Sequence, residues 1–405
     1  MTVVYIDSIK HGRSNMKPSE KQRKIFKLLC IILIAAVLFS AYSFLFVSQI
    51  ITDDGSYFSD IKQHMEIAYG GRGYSFLYRF MELLYNMTGE PLTAAFLSSS
   101  MMVGTWFAAA KLIDVLYERK SYFTSALIAL PPMFVTGIFI PKIYEFFYCR
   151  QLVTQPYHNI TYIGMRLFAV LAILVFYKVF ETYLQKIKWH QWLILAAMLV
   201  LSTAIKPSFF YGFALTLLLF LIIDFIRTGF KLKPFWQMVI LGCVVFPSIF
   251  IMYLQASILY SKPVEDGGSS IILIWGMNFV KHGFTATALK ILCSLSFPAL
   301  VGALNLKKLK KTEIFIYVMY AVQLVIVMLF VESGPRANDG NFYWGLYCAA
   351  FFIFIIAFAR FFNDLIHYKE RNKLCLCAEG ALAAAHIICG LVYFSEMMSG
   401  TTYGI

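Results

Sequence analysis

Long apolar runs recur about every 30 residues along the chain, separated by short polar segments. As helices they can cross roughly 30 Å of hydrocarbon, which takes about 20 residues. Eleven such runs centre near Ile34, Met102, Leu130, Val170, Ala197, Leu217, Val244, Leu295, Gln323, Ile353 and Ala385. In lipid, a helix satisfies its own backbone, whereas a β-barrel would show short alternating segments that this chain lacks. The pattern predicts an all-α fold, a polytopic transmembrane helical bundle of about 11 spans. The fifth run is short, residues 192–204, and stops at Ile205-Lys206-Pro207-Ser208. Proline and the residue before it disfavour helix there. Two half-length helices with a turn inside the membrane are the competing arrangement.

Composition agrees with this reading. Hydrophobic residues make up 60% of the 405 and charged residues only 14%, where a soluble chain carries about a quarter charged. The run Ile25–Val47 is too long for the apolar part of a cleaved signal and reads as a signal anchor. The expected organisation is a basic cytoplasmic tail (1–25), a single transmembrane domain (26–395) whose first outer loop spans 49–90, and a short extracytoplasmic tail (396–405).

The net charge of +13 does not indicate nucleic acid as a partner, because the Lys and Arg residues sit in short clusters between apolar runs. Twenty-two of the 35 fall in alternate segments: the N-terminal stretch, 118–120, 186–188, 227–233, 307–311 and 360–373. Nine fall in the other loops and four within runs. The positive-inside rule then places the N-terminus in the cytoplasm of a cell whose plasma membrane holds the chain. The outer loops carry about half of the acidic residues, so the candidate chemistry collects on the extracytoplasmic face. The eight cysteines are scattered and form no CxxC pair, so neither a metal centre nor a disulfide framework is inferred. The sequons at Asn86 and Asn159 carry little weight.

In the first outer loop, Asp53 and Asp54 follow the first span. Asp60 and His64 are four apart and share a face if the segment is helical. Ile61, Met65 and Tyr69 supply an apolar face for a helix lying in the interface. The acidic pair could act as general base or hold a divalent cation, with Asp54 the metal ligand. The alternative is that Asp54 or Ser56 caps the interfacial helix. Arg72 lies in the glycine turn Gly70-Gly71-Arg72-Gly73 before a second amphipathic segment, 77–87.

The second outer loop ends Arg150-Gln151-Leu152-Val153-Thr154-Gln155-Pro156-Tyr157-His158-Asn159. Arg166 lies two turns inside span four, where a cation faces a polar cavity or snorkels to the surface. Lys206 stands at the proline break, either as a phosphate contact or in an ordinary short loop. In the last outer loop, Arg336 could clamp a phosphate, and Asn338, Asp339 and Asn341 could bind sugar hydroxyls. Carboxylates for deprotonation and cations for a leaving phosphate are what chemistry on an anionic lipid carrier needs.

The chain resembles the C-fold (GT-C) glycosyltransferases, which use polyprenyl-phosphate sugars. The likeness rests on the basic tail before span one, Asp53-Asp54 at the start of a long outer loop, interfacial helices in that loop, and about eleven spans with outer cations. It is also similar to uncharacterised bacterial membrane proteins of surface-polysaccharide loci, through Gln155-Pro156-Tyr157-His158-Asn159, Lys206-Pro207-Ser208 and Gly334-Pro335-Arg336 to Gly340-Asn341-Phe342. The resemblance implies Asp53 or Asp54 as catalytic base, with a divalent cation (Mg or Mn) as cofactor. The implied partners are the lipid bilayer, a polyprenyl-phosphate-linked sugar, and a glycan or lipid acceptor. The later acidic motif of many members has no convincing match in Glu145 or Glu265-Asp266. The expectation is a glycosyltransferase. The alternatives are a polysaccharide (O-antigen-type) polymerase and, in a different class, a transporter or flippase for lipid-linked glycan, against which no repeat relates the two halves.

Overall fold

The computed structural model describes residues 19–51, 59–71, 73, 75–119, 121–140, 155–259, 271–273, 284–334 and 340–399. The described chain is a helical membrane protein. Its helices are α1 (Glu20–Ile51), α2 (Ile61–Tyr69), α3 (Phe76–Thr88), α4 (Thr93–Leu116), α5 (Tyr122–Ile128), α6 (Ile160–Phe180), α7 (Trp189–Ile205), α8 (Ser208–Arg227), α9 (Leu232–Gly242), α10 (Phe246–Leu259), α11 (Phe284–Leu304), α12 (Lys311–Leu329), α13 (Tyr343–Ile366) and α14 (Lys373–Ser399).

Among the described residues, eight helical stretches are long and apolar enough to cross a membrane, α9 and α10 counting as one. Three shorter apolar ones, Tyr122–Met133, Trp189–Ile205 and Ala288–Leu304, stand at the remaining sequence centres. Two of the three are shortened by proline: Pro131-Pro132 tightens the end of α5 into a 3-10 turn, and Pro207 ends α7.

Burial orders the bundle. Helix α13 is the central pillar, with 83% of its apolar window inside the protein, while α1, the α9–α10 pair and α14 bury only 17–22% and present Leu, Ile and Phe outward. Such a rim is unfavourable in water and suits lipid. Close packing of α4 against α1 and α6 comes from small residues, Ala94, Ala95, Ala108 and Ala109. The α4 hydroxyls are satisfied on the helix's own backbone, as in Ser98 Oγ to the Ala94 carbonyl at 2.7 Å and Thr105 Oγ1 to the Met101 carbonyl at 2.7 Å.

After Met133 the chain is not helical, yet Val135 and Thr136 are fully buried. Backbone of this kind survives at membrane depth only when other groups satisfy it. Tyr157 Oη donates to the Met133 carbonyl at 3.1 Å, with Tyr42 Oη at 3.4 Å. Gln155 Nε2 donates to the Pro132 carbonyl. His386 Nδ1 reaches the Thr136 carbonyl at 2.6 Å.

The helix ends sort onto two faces. Segments expected to be basic inner loops touch one another: Arg119 Nη2 donates to the Ala359 carbonyl at 3.0 Å, Lys27 Nζ to Ser121 Oγ at 3.4 Å, and Lys311 pairs with Asp224 at 2.5 Å. The other face holds α2, α3 and the N-terminal ends of α6, α8 and α13. Where only loops were expected, β1 (Ile271–Leu273) pairs antiparallel with β2 (Phe330–Glu332), Ile272 opposite Val331.

Candidate active site

Two local signals build the near wall. Ser75 caps α3 by accepting from the Leu77 amide, and Gly89 ends the helix in the left-handed region at φ 68°. The break at Lys206 leaves the last carbonyls of α7 without helical partners. Ser75 Oγ donates to the Ile205 carbonyl at 2.9 Å, and Gln255 Nε2 donates to the Ala204 carbonyl at 2.6 Å. These bonds hold Lys206 in an extended conformation, so that its Nζ lies 4.8 Å above the Trp344 ring, a favourable cation–π distance.

Asn159 is the centre of the site. As N-cap of α6 it accepts, on Oδ1, from the Tyr162 amide at 2.9 Å and from Thr161 Oγ1 at 2.7 Å. Those two bonds assign its amide orientation, so Nδ2 faces Asp60 Oδ2 at 3.1 Å and His64 Nε2 at 3.2 Å. His64 Nε2 therefore accepts, and the neutral ring carries its proton on Nδ1, against the Tyr78 hydroxyl. Lys206 Nζ donates to Thr161 Oγ1 at 3.3 Å. One chain of hydrogen bonds thus runs from Lys206 through Thr161 and Asn159 to Asp60 and His64. His158 closes it: its carbonyl accepts from the Asp60 amide at 3.1 Å, and its ring lies 5.7 Å from that of Trp344.

Burial pushes the imidazoles of His64 and His158 down to about 4, with Lys206 adding to the effect and Asp60 opposing it. Both rings are neutral at pH 7. A histidine in the unfolded chain takes up a proton near pH 6.5, whereas the folded site resists until about 4. The unfolded state thus binds more protons between those values, and stability falls as pH drops from 6.5 towards 4, by up to about 1.4 kcal/mol per pH unit for each histidine. Thermal unfolding in detergent should show this fall, and His158→Gln should reduce its slope by about one proton. An unchanged slope would contradict the burial of His158.

Of the residues expected from sequence, Asp60, His64, His158 and Lys206 come together here. Asp60, not Asp54 or Ser56, takes the N-cap position of α2, with no side-chain cap bond. Arg166 does not snorkel. It is 1% exposed, donates Nη1 to Gln155 Oε1 at 2.5 Å, and stacks 4.7 Å over the Phe351 ring. Asn341 is engaged within the protein: Nδ2 donates to Glu332 Oε2 at 2.6 Å, and its carbonyl accepts from Ser208 Oγ at 3.2 Å. Asp53, Asp54, Arg72, Arg150, Arg336, Asn338 and Asp339 lie outside the described residues. From sequence, Asn159 and Thr161 read only as a sequon, Trp344 only as a membrane-interface residue, and Tyr78 drew no reading. Of these, only Asn159 carried a usable signal, a capping residue two positions before a threonine at the start of an apolar run.

Among the described residues, no three His, Cys, Asp or Glu side chains converge as a metal centre. Asp60 and His64 offer two donors, and Asp60 Oδ2 and His64 Nε2 both accept from Asn159. The chain matches no family model and no curated protein.

Proposed function

We propose that this protein is a membrane glycosyltransferase that moves a sugar from a polyprenyl-phosphate carrier to a glycan or lipid acceptor, with its basic face in the cytoplasm and this site outside. The observation that supports the reading best is a lysine, Lys206, held at a broken helix and bonded into the same network as a carboxylate and two neutral histidines. Catalysis by such a site divides into two roles. A carboxylate accepts the proton of the acceptor hydroxyl as its oxygen attacks the anomeric carbon. The bond from that carbon to the phosphate oxygen then breaks, and the departing phosphate gathers charge beside Lys206 and the N-terminal end of α8. Asp53 or Asp54 is assigned as base, and Asp60 with His64 binds sugar or acceptor hydroxyls. The resemblance of the Gln155–Asn159 and Lys206–Ser208 stretches to surface-polysaccharide proteins points the same way.

The test uses the full chain in proteoliposomes with a panel of labelled undecaprenyl-phosphate sugars. Lys206→Met should lower transfer about 10- to 100-fold, as expected for losing one charge-assisted hydrogen bond in the transition state. Asp53→Asn with Asp54→Asn should abolish transfer while leaving membrane insertion intact. Full activity in that double variant overturns the base assignment. Long glycan products would make the protein a polymerase, and labelled lipid crossing the bilayer without transfer would make it a transporter.

A further inference from the structure

At the opposite, basic face, the turn between α6 and α7 borders a half-open surface pocket of about 190 Å³ lined by Lys178, Thr182, Gln185, Lys186, Lys188 and Gln191. Three lysines line it together with two glutamines and a threonine. Among the described residues, none of the three lysines forms an ion pair. The nearest acidic neighbour in sequence, Glu181, instead accepts from Thr312 Oγ1 at 3.3 Å. Lys188 is the N-cap of α7 and makes no capping bond with its side chain, so the positive end of that helix adds to the local field.

A topology signal requires lysines near a span but no pocket that they line together. The pocket is what distinguishes this turn. Its surroundings place it at the level of lipid headgroups: Trp189 is 72% exposed at the first turn of α7, and Leu193 and Ile194 below it face outward. Exposed tryptophan above an apolar helix face is the mark of the membrane–water boundary. We propose that this pocket seats the phosphate of an anionic phospholipid from the surrounding leaflet, with Lys178, Lys186 and Lys188 neutralising it and Gln185, Gln191 and Thr182 as hydrogen-bonding partners. The acyl chains then lie along Leu193 and Ile194. This site is separate from the proposed active site and does not depend on its assignment.

The experiment is native mass spectrometry of the purified full chain titrated with phosphatidylglycerol, phosphatidylcholine or inorganic phosphate. A lysine near an anionic lipid contributes about fivefold in affinity. The triple variant Lys178→Gln, Lys186→Gln, Lys188→Gln should therefore lose phosphatidylglycerol binding by about 100-fold. Lys231→Gln with Lys233→Gln, on the same face but outside the pocket, should leave it unchanged. Equal loss in both variants would mean that the face attracts lipid by general charge alone, and the site is then overturned. Inorganic phosphate or phosphatidylcholine binding as tightly as phosphatidylglycerol would overturn the assignment to an anionic lipid.

Discussion

Arg360→Met should destabilise the protein by about 3–5 kcal/mol, the usual cost of removing one partner from a buried ion pair. Glu313 sits in the first turn of α12 and is fully buried. Its carboxylate accepts from four donors: Arg360 Nε at 2.9 Å on Oε1, Arg360 Nη2 and the Tyr117 hydroxyl at closer range, and the Lys310 amide at 2.6 Å on Oε2. Arg360 also donates to the Lys308 carbonyl at 2.7 Å. The pair therefore ties α4, α12 and α13 together at the basic face. Methionine keeps most of the volume but removes the cation and two of the four bonds, leaving a carboxylate in protein that excludes water. The companion variant Glu313→Gln with Arg360→Met removes the charge that was left behind and should recover a large part of the loss. Unfolding of wild type, both single variants and the double variant in the same detergent closes the cycle. If the single arginine variant is as stable as the double one, the buried carboxylate is not what makes the loss large.

Gly390→Ala is expected to cost about 2–6 kcal/mol, against a helix-propensity gain of about 1 kcal/mol that would otherwise favour alanine. A β-carbon at Gly390 would lie 1.9 Å from the Phe134 carbonyl oxygen, 2.7 Å from its carbon and 2.9 Å from the Val135 Cα. All three are backbone atoms, so no change of rotamer relieves the contact. Helix α14 would have to move away from the non-helical segment it covers. That movement would break the 2.6 Å bond from His386 to the Thr136 carbonyl and the contact of the Phe139 amide with Cys389 Sγ at 3.5 Å. Each buried polar group so exposed adds its own desolvation penalty. Gly380→Ala, on the same helix, meets only the Phe361 side chain at 3.6 Å and should be neutral or slightly stabilising. Equal melting temperatures for the two variants would remove this account of the α14 packing.

Both effects concern atoms packed between helices that hydropathy describes as uniform. A run of leucine and phenylalanine reports its length and its preference for lipid. It does not report where one residue in twenty finds a partner on another helix. Glu313 and Arg360 are 47 residues apart in sequence, and His386 and Thr136 are 250 apart.

What the chain reveals unaided follows from local rules. Helices at the eleven apolar centres, the stop at Lys206-Pro207, the amphipathic segments after Asp60 and Ser75, and the separation of lysine and arginine onto alternate loops each depend on residues within about two turns of one another. The Asp60–His64 pairing was legible for the same reason, because four residues is one helical turn. The tertiary structure alone decided that Asn159 lies between that pair and joins it to Lys206, that Arg166 turns inward to Gln155, and that Tyr157 and His386 sustain a buried segment that is not helical. Inside lipid, a polar group displaced from its helix must find a partner within the protein. Which partner it finds is set by how the helices pack, a property of the bundle as a whole that no single stretch of sequence contains.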